Sequence, residues 1–268
     1  MDGRMVRGLS AGGAVRVVEA DVLGPAIHTA AIHGLAPSAA RLAAEGIAAA
    51  TVLGATLKGE DRLTLQLQAE EPEVGLYVEV RGDGTLRARM TPRSVPGGTD
   101  RLAGLVLLIR SNATGEVYRG MTAVQGESLT RALGRHLAES DQVDARLSVD
   151  VETRDGECLS ARARLVERLP EASDRPSVSA EEFAMGQDYP MEVVLDESVV
   201  VWRCNCSSGR VAAMLALLPP DELDAMIRED HGAEVTCHFC ETTWRFGESE
   251  LRALQAGEVD VGGLGRPE

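Results

Sequence analysis

The stretch Cys204-Asn205-Cys206 and the stretch Cys237-His238-Phe239-Cys240, separated by residues 207–236, decide how the C-terminal part of this chain folds. Four thiolates brought together in pairs can hold zinc in a tetrahedral site, with Zn–S bonds of roughly 2.3 Å. The same four thiols can also pair into two short-range disulfides when they are oxidised. The spacing therefore leaves two interpretations open: a static structural zinc site, or a zinc site that oxidation takes apart.

The residues around these cysteines predict a small α/β module that needs a metal ion to fold. The predicted elements are a helix capped by Ser207 and Ser208, a helix from Asp221, and short strands over Glu234–Cys237 and Thr243–Phe246. So small a unit has little apolar core of its own. Zinc binding contributes roughly 10–16 kcal/mol to the folding of small zinc peptides. We expect the module to unfold, at least partly, when it loses zinc.

Other thiol and imidazole groups are weaker candidates for chemistry. His238 lies between two of the cysteines and could compete as a ligand, but four thiolates already complete a zinc site. Cys158 falls on a predicted strand, on the face opposite Leu159, Ala161 and Ala163, and is interpreted as a packing residue rather than a redox partner. A disulfide reductase would need an exposed thiol of low pKa at a helix N-terminus, whereas Cys237 follows a predicted strand.

Composition narrows the class of protein. The formal net charge is −15, which argues against binding nucleic acid or an anionic membrane surface, because both need a basic face. The segment Met1–Gly13 has no apolar region of the kind found in secretory signals, and the longest apolar run, Gly46–Leu57, is too short to span a bilayer. Five cysteines in metal-ligand spacing indicate a reducing cytoplasm. The sequence contains no phosphate-binding glycine loop and no catalytic triad, so we expect a protein that is not an enzyme.

Ahead of the cysteines, residues 1–169 predict an α+β domain with a largely antiparallel sheet and packed helices. The predicted elements are a core helix over Pro37–Lys58, a strand over Arg62–Gln68, hairpins within 76–90 and 105–124, a helix over Glu127–Glu139, and strands over Val143–Arg154 and Glu157–Arg168. Residues 170–200 are acidic and interrupted by prolines, which favours a short inter-domain linker. The alternative there is an irregular surface loop with a short strand over Met191–Leu195. Residues 201–268 form the predicted C-terminal zinc-binding domain, which is a redox-switch domain if oxidation takes the zinc site apart.

The chain resembles the heat-shock protein 33 family, the redox-regulated holdase chaperones of the bacterial cytoplasm. The resemblance is carried by Trp202-Arg203-Cys204-Asn205-Cys206-Ser207, Arg228-Glu229-Asp230, and Cys237-His238-Phe239-Cys240 followed by Trp244-Arg245-Phe246. In the first domain it is carried by Ala55-Thr56-Leu57-Lys58 leading into Leu65-Gln66-Leu67-Gln68, Tyr118-Arg119-Gly120, Gly126-Glu127-Ser128-Leu129 and Glu139-Ser140-Asp141-Gln142. It spans most of the chain.

The resemblance implies one zinc ion on Cys204, Cys206, Cys237 and Cys240 in the reduced protein. On oxidation it implies Cys204–Cys206 and Cys237–Cys240 disulfides, zinc loss, unfolding of the C-terminal part, dimerisation and capture of unfolding client proteins without ATP. Residues 170–200 are shorter than the linker usual in that family, so a constitutively active or weakly regulated chaperone stays open. A static zinc module that serves as an adaptor or interaction protein is the other alternative.

Overall fold

The computed structural model describes residues 2–95, 98–139, 144–171, 173, 176–257 and 266–267. The chain divides into two compact units, Met1–Arg203 and Cys204–Glu268. Within the described residues no helix is both long and apolar enough to cross a membrane.

The N-terminal unit is a ten-stranded sheet with helices packed on it, which confirms the predicted α+β class. Its strands follow the order β7-β6-β3-β4-β5-β10-β1-β2-β9-β8. The elements are β1 (Gly3–Ser10), β2 (Val15–Asp21), α1 (Leu23–His33), α2 (Pro37–Leu53), β3 (Arg62–Glu71), β4 (Glu73–Arg81), β5 (Thr85–Thr91), β6 (Leu102–Asn112), β7 (Gly115–Glu127), α3 (Leu129–Glu139), β8 (Ala145–Arg154), β9 (Glu157–Arg168), α4 (Ala180–Ala184) and β10 (Val193–Trp202).

Helix α2 is the centre of the main core, as its apolar composition on more than one face predicts. Pro37 occupies its first turn, and nearly every residue from Leu42 to Leu53 is buried. The helix ends earlier than the predicted Lys58. The Gly54 amide still bonds to the carbonyl of Ala50, four residues back, but the Ala55 amide bonds to Val52, three residues back, so the α-helical pattern stops there.

The sequence patterns missed the first three elements of the chain. Strand β1 pairs with β2 and with β10, and α1 packs against α2. Elsewhere the predicted hairpins agree with β4–β5, β6–β7 and β8–β9, which pair antiparallel. The predicted first residue of the strand 143–154, Val143, lies outside the described residues.

The segment predicted as a linker, 170–200, is folded where the structure describes it. Phe183 and Tyr189 are buried beside Val15, Val17 and Val166 on the outer face of β2 and β9. The guanidinium of Arg146 lies 4.8 Å from the ring centroid of Phe183 and 5.3 Å from that of Tyr189. Two aromatic side chains therefore anchor a stretch whose acidic composition predicts an inter-domain linker.

The end of that segment is strand β10, which is longer than the short strand over Met191–Leu195 offered as the alternative. It pairs antiparallel with β1 from Val193 to Val200, and parallel with β5 through Val201 and Trp202 alone. The boundary between the two units lies at Arg203–Cys204. The sheet of the N-terminal unit extends to Trp202, two residues before Cys204.

The C-terminal unit has a small core of its own. Its elements are α5 (Ser208–Leu215), α6 (Pro220–Ala225), a π-helical turn (Met226–Asp230), β11 (Gly232–Thr236), β12 (Thr243–Gly247), α7 (Glu248–Ala256) and β13 (Arg266–Pro267). The buried apolar residues of this core are Val211, Ala212, Leu215, Leu223, Ile227, Phe246, Leu251 and Leu254. Residues 258–265 and 268 of the predicted domain 201–268 lie outside the described residues.

Candidate metal centre

The first pair of cysteines lies in the short loop that leads into helix α5. Ser207 is the N-cap of that helix, and its hydroxyl accepts a hydrogen bond from the amide of Arg210. The guanidinium of Arg210 in turn donates to the carbonyl of Asn205, at 3.0 Å. The cap thus fixes the backbone that carries Cys204 and Cys206.

The second pair lies in the turn that joins β11 to β12. The amide of Cys237 donates to the carbonyl of Thr242, and the amide of Glu241 donates to the carbonyl of Cys237, both at 2.9 Å. Glu241 adopts a left-handed conformation with φ 54°, which lets the chain reverse within this turn. Strands β11 and β12 pair antiparallel on either side of this turn, which keeps Cys237 and Cys240 close together.

The four sulfur atoms converge on one point. Cys204 Sγ lies 3.6 Å from Cys237 Sγ, and Cys206 Sγ lies 3.2 Å from Cys240 Sγ. All four sulfur atoms lie within 4.8 Å of one another. Four sulfurs bound to one zinc at roughly 2.3 Å in tetrahedral directions are separated by about 3.8 Å. The donor set and its spacing therefore fit a tetrahedral thiolate metal such as zinc.

All five cysteines of the chain are free thiols in this structure. The contacts at 3.6 Å and 3.2 Å join one turn to the other and are well beyond the S–S bond length of about 2.05 Å. The four clustered cysteines are only partly buried.

Within the cluster, the pKa values of two thiols shift in opposite directions. Burial, together with the neighbouring Cys240 and Cys204, raises the pKa of the Cys206 thiol strongly. Burial also opposes ionisation of Cys240, but its hydrogen bonds with the hydroxyl and amide of Thr242, together with those to Cys206 and Cys237, outweigh that effect and lower its pKa to about 7. The cysteine spacing alone does not point to Thr242; its position two residues after Cys240 is the local signal that does.

The remaining candidates lie outside this cluster. His238 is exposed and is not part of the metal-binding group that the described residues form. Cys158 donates to the carbonyl of Ser160 at 3.4 Å, and burial raises the pKa of its thiol. Cys158 lies opposite the exposed Leu159, as predicted, but the prediction that it also lies opposite Ala161 and Ala163 was wrong. It packs against the main core that contains those two alanines, because the register of β8 on β9 shifts between Glu152 and Thr153 and breaks the alternation. A packed thiol of raised pKa has the character of a structural cysteine.

Comparison with known proteins decides the family. The family model described as "Hsp33 protein" matches residues 3–247, which include all four clustered cysteines and almost the whole N-terminal unit. This chain belongs to the Hsp33 family. The resemblance inferred from the sequence motifs is thereby confirmed.

Curated relatives of this Hsp33 chain are named 33 kDa chaperonin. That of Thermus thermophilus is 27% identical over an alignment covering 95% of this chain and 87% of the relative. That of Lactiplantibacillus plantarum is 28% identical, covering 74% of this chain and 78% of the relative. Among solved structures, the 33 kDa chaperonin (heat shock protein 33 homologue) of Thermotoga maritima has the same fold, with a TM-score of 0.78 at 17% identity. It covers 96% of this chain and 99% of that one.

Membership of the Hsp33 family supports a chaperone function and makes this chain a non-enzyme. A chaperone family also implies that the chain binds client proteins. The four-cysteine cluster can hold a metal ion. Ligation of a metal by Cys204, Cys206, Cys237 and Cys240 remains a prediction, as does their oxidation.

Proposed function

We propose that this chain is a redox-regulated, ATP-independent holdase of the cytoplasm, which binds unfolding proteins and protects them from aggregation under oxidative or heat stress. The observation that carries the proposal is the convergence of four partly buried sulfur atoms within 4.8 Å in a chain of the Hsp33 family. A holdase acts by binding the unfolded state of a client and so lowering its free concentration, which needs no nucleotide.

In the reduced protein, Cys204, Cys206, Cys237 and Cys240 hold one zinc ion as thiolates. When bound, the ion ties the loop before α5 to the β11–β12 turn and contributes folding free energy of roughly 10–16 kcal/mol, as in small zinc peptides. The apolar core around Leu215, Leu223 and Phe246 is too small to hold the unit together without such a staple.

Oxidation removes the ligands. Two thiolates give two electrons to each hydrogen peroxide molecule, which takes up two protons and becomes two water molecules while one disulfide forms. Two such steps produce the proposed Cys204–Cys206 and Cys237–Cys240 disulfides, and no thiolate is left to bind the metal. The two turns are then no longer tied together, the unit melts, and its apolar side chains become available to unfolding proteins. A homodimer of the oxidised chain is part of this proposal.

A second candidate is a chaperone with weak redox control. It is favoured by the folding of residues 176–202 on the N-terminal sheet, through Phe183, Tyr189 and strand β10, because these contacts do not involve the cysteines. In that case the chain would hold clients in both redox states.

The test is to measure zinc content, free thiols and suppression of citrate synthase aggregation on one sample, before and after peroxide at elevated temperature. We expect one zinc per reduced chain, loss of zinc together with four thiols, and stronger suppression after oxidation. Disulfide mapping by mass spectrometry distinguishes the proposed pairing from Cys204–Cys237 and Cys206–Cys240, the sulfur pairs in contact in the structure. A Cys158→Ser variant is the matched control and should behave as wild type.

Zinc that stays bound after peroxide, with no gain in suppression, would indicate a static zinc module and remove the redox switch. Equal suppression in both states would favour the weakly regulated chaperone instead. A reduced chain without zinc would refute the metal site.

A further inference from the structure

A cavity of about 540 Å³ lies in the N-terminal unit, beside the end of helix α2. Four of the side chains that line it are apolar and almost fully buried in the main core: Val52 and Leu53 of α2, Leu137 of α3 and Leu165 of β9. Cavities that hold small molecules have volumes of this order, apolar walls and a few polar groups that fix the orientation of the ligand.

Three charged side chains also line this cavity, and two of them neutralise each other. Nε of Arg16 lies 2.8 Å from Oε2 of Glu167, and the two residues are directly opposite each other on β2 and β9. The third is Arg110 of β6, which is partly buried. Within the part of the chain that the structure describes, its guanidinium takes part in no hydrogen bond or ion pair. The cavity therefore carries one uncompensated positive charge, in a chain whose formal net charge is −15.

The end of helix α2 also borders the cavity, and two of its carbonyl groups already have hydrogen-bond donors. That of Val52 accepts the amide of Ala55, and that of Ala55 accepts the guanidinium of Arg7. Unsatisfied carbonyls at the C-terminal end of a helix attract cations and repel anions, and donors reduce that effect. The repulsion that α2 exerts on an anion in the cavity is reduced accordingly.

The chemistry of Arg110 and of the walls specifies the kind of ligand. A guanidinium group and a carboxylate match as a fork of two parallel hydrogen bonds, which are stronger than bonds between neutral groups. A single positive charge is compensated by a monoanion, whereas a phosphate monoester carries up to two negative charges at neutral pH. Apolar walls add affinity for an aliphatic chain in proportion to the area that the chain buries.

We propose that this cavity binds a small organic monoanion, a carboxylic acid with an aliphatic chain, whose carboxylate pairs with Arg110 and whose chain lies against Leu53, Leu137 and Leu165. All the lining residues belong to the N-terminal unit, and none is one of the four clustered cysteines. This binding site is thus additional to the zinc motif and to the proposed capture of client proteins.

Isothermal titration calorimetry of the full-length reduced chain with octanoate tests the proposal. We expect saturable binding of one octanoate per chain. Arg110→Gln should weaken this binding by about tenfold, because the charge-assisted hydrogen bonds to the carboxylate are lost. Circular dichroism confirms that the variant is folded.

Arg62→Gln is the matched control, because it removes the same charge from the neighbouring strand. Leu63 is the register partner of Arg110 in the β3–β6 pair, so Arg62, one position earlier, lies on the other face of the sheet. Arg62 is exposed and does not line the cavity. The affinity of Arg62→Gln for octanoate should stay within about twofold of the wild-type affinity.

Two further arms separate the carboxylate from the aliphatic chain. Butanoate should bind at least about tenfold more weakly than octanoate, because it buries fewer CH₂ groups. Octylammonium has the same chain with the opposite charge and should also bind at least about tenfold more weakly. Leu137→Phe, which fills part of the cavity, should weaken octanoate binding while circular dichroism shows an intact fold.

Four outcomes would overturn the inference. They are the absence of saturable octanoate binding, equal affinity of wild type and Arg110→Gln, an equal loss in Arg110→Gln and Arg62→Gln, and equal affinity for octanoate and octylammonium. Uptake of many octanoate molecules per chain without saturation would show adsorption to apolar surface and would likewise refute a site at Arg110.

Discussion

At the scale of single residues, Glu79 shows how a buried charge is tolerated in the N-terminal sheet. Its side chain is 4% exposed and accepts hydrogen bonds from Arg81 at 2.7 Å and Arg87 at 3.1 Å. Burial opposes ionisation of the carboxyl group, but the two guanidinium groups outweigh it and hold the pKa of Glu79 below its ordinary value of 4.5. The ionised form is therefore the one that the fold stabilises.

The pH dependence follows from that direction. Because the pKa is lowered on folding, the contribution of Glu79 to stability is present above pH 4.5 and is lost as the pH falls through the lower pKa of the folded state. Glu79→Gln should remove the carboxylate charge and one of the two oxygens that accept hydrogen bonds from Arg81 and Arg87, lowering the free energy of unfolding at pH 7 by about 2 kcal/mol. Urea unfolding at pH 7 and at a pH well below 4.5 measures both effects.

Glu116→Gln is the control, because Glu116 pairs with Arg119 at the exposed surface. It should change the free energy of unfolding by less than about 0.5 kcal/mol. An equal effect of the two substitutions at pH 7, or a Glu79→Gln penalty that persists undiminished in acid, would contradict the role assigned to Glu79.

At the scale of elements, strand β10 lies between β5 and β1 in the large sheet and ends two residues before Cys204. Its last residue, Trp202, donates from Nε1 to the hydroxyl of Thr29 in α1 at 3.0 Å. The Trp202 ring also meets His28 edge-on, with ring centroids 4.6 Å apart. Since β10 and β5 pair through only two residues, these contacts with α1 are needed to keep the end of the strand in place.

Thr29→Val tests that anchor with little change of shape. Thr29 and Thr51 are both buried, and each hydroxyl donates to the carbonyl four residues earlier in its own helix. Only Thr29 also accepts the indole N–H, so Thr29→Val should lower the free energy of unfolding by about 1 kcal/mol more than Thr51→Val. Urea unfolding followed by tryptophan fluorescence gives the comparison, and indistinguishable variants would show that the indole bond contributes nothing.

At the scale of the whole molecule, the two units differ in how they are stabilised. The N-terminal unit has a continuous core around α2, whereas the described part of the C-terminal unit buries a few apolar side chains beside four thiols. A strong zinc chelator should therefore remove roughly 10 kcal/mol or more from the C-terminal unit alone. The boundary at Arg203–Cys204 predicts where the loss of structure stops.

Hydrogen exchange read by mass spectrometry checks this expectation. After chelation, amides of residues 204–257 should lose protection, while strands β1, β2 and β10 keep theirs. Return of protection on adding zinc is the control for irreversible damage. Loss of protection in β10 at the same chelator concentration would show that unfolding spreads into the N-terminal sheet.

The sequence by itself determined the local features of this protein: the cysteine spacing, the capped helix after Ser207, the hairpins with their turns, and the buried helix α2. These features depend on residues a few positions apart, so periodicity and turn residues report them directly. Only the tertiary structure decided that β10 is a strand of the N-terminal sheet, because its acids Asp196 and Glu197 are matched by Arg7 and Arg4 from the other end of the chain. Such pairing has no local signature: read alone, an acidic stretch interrupted by prolines indicates a linker.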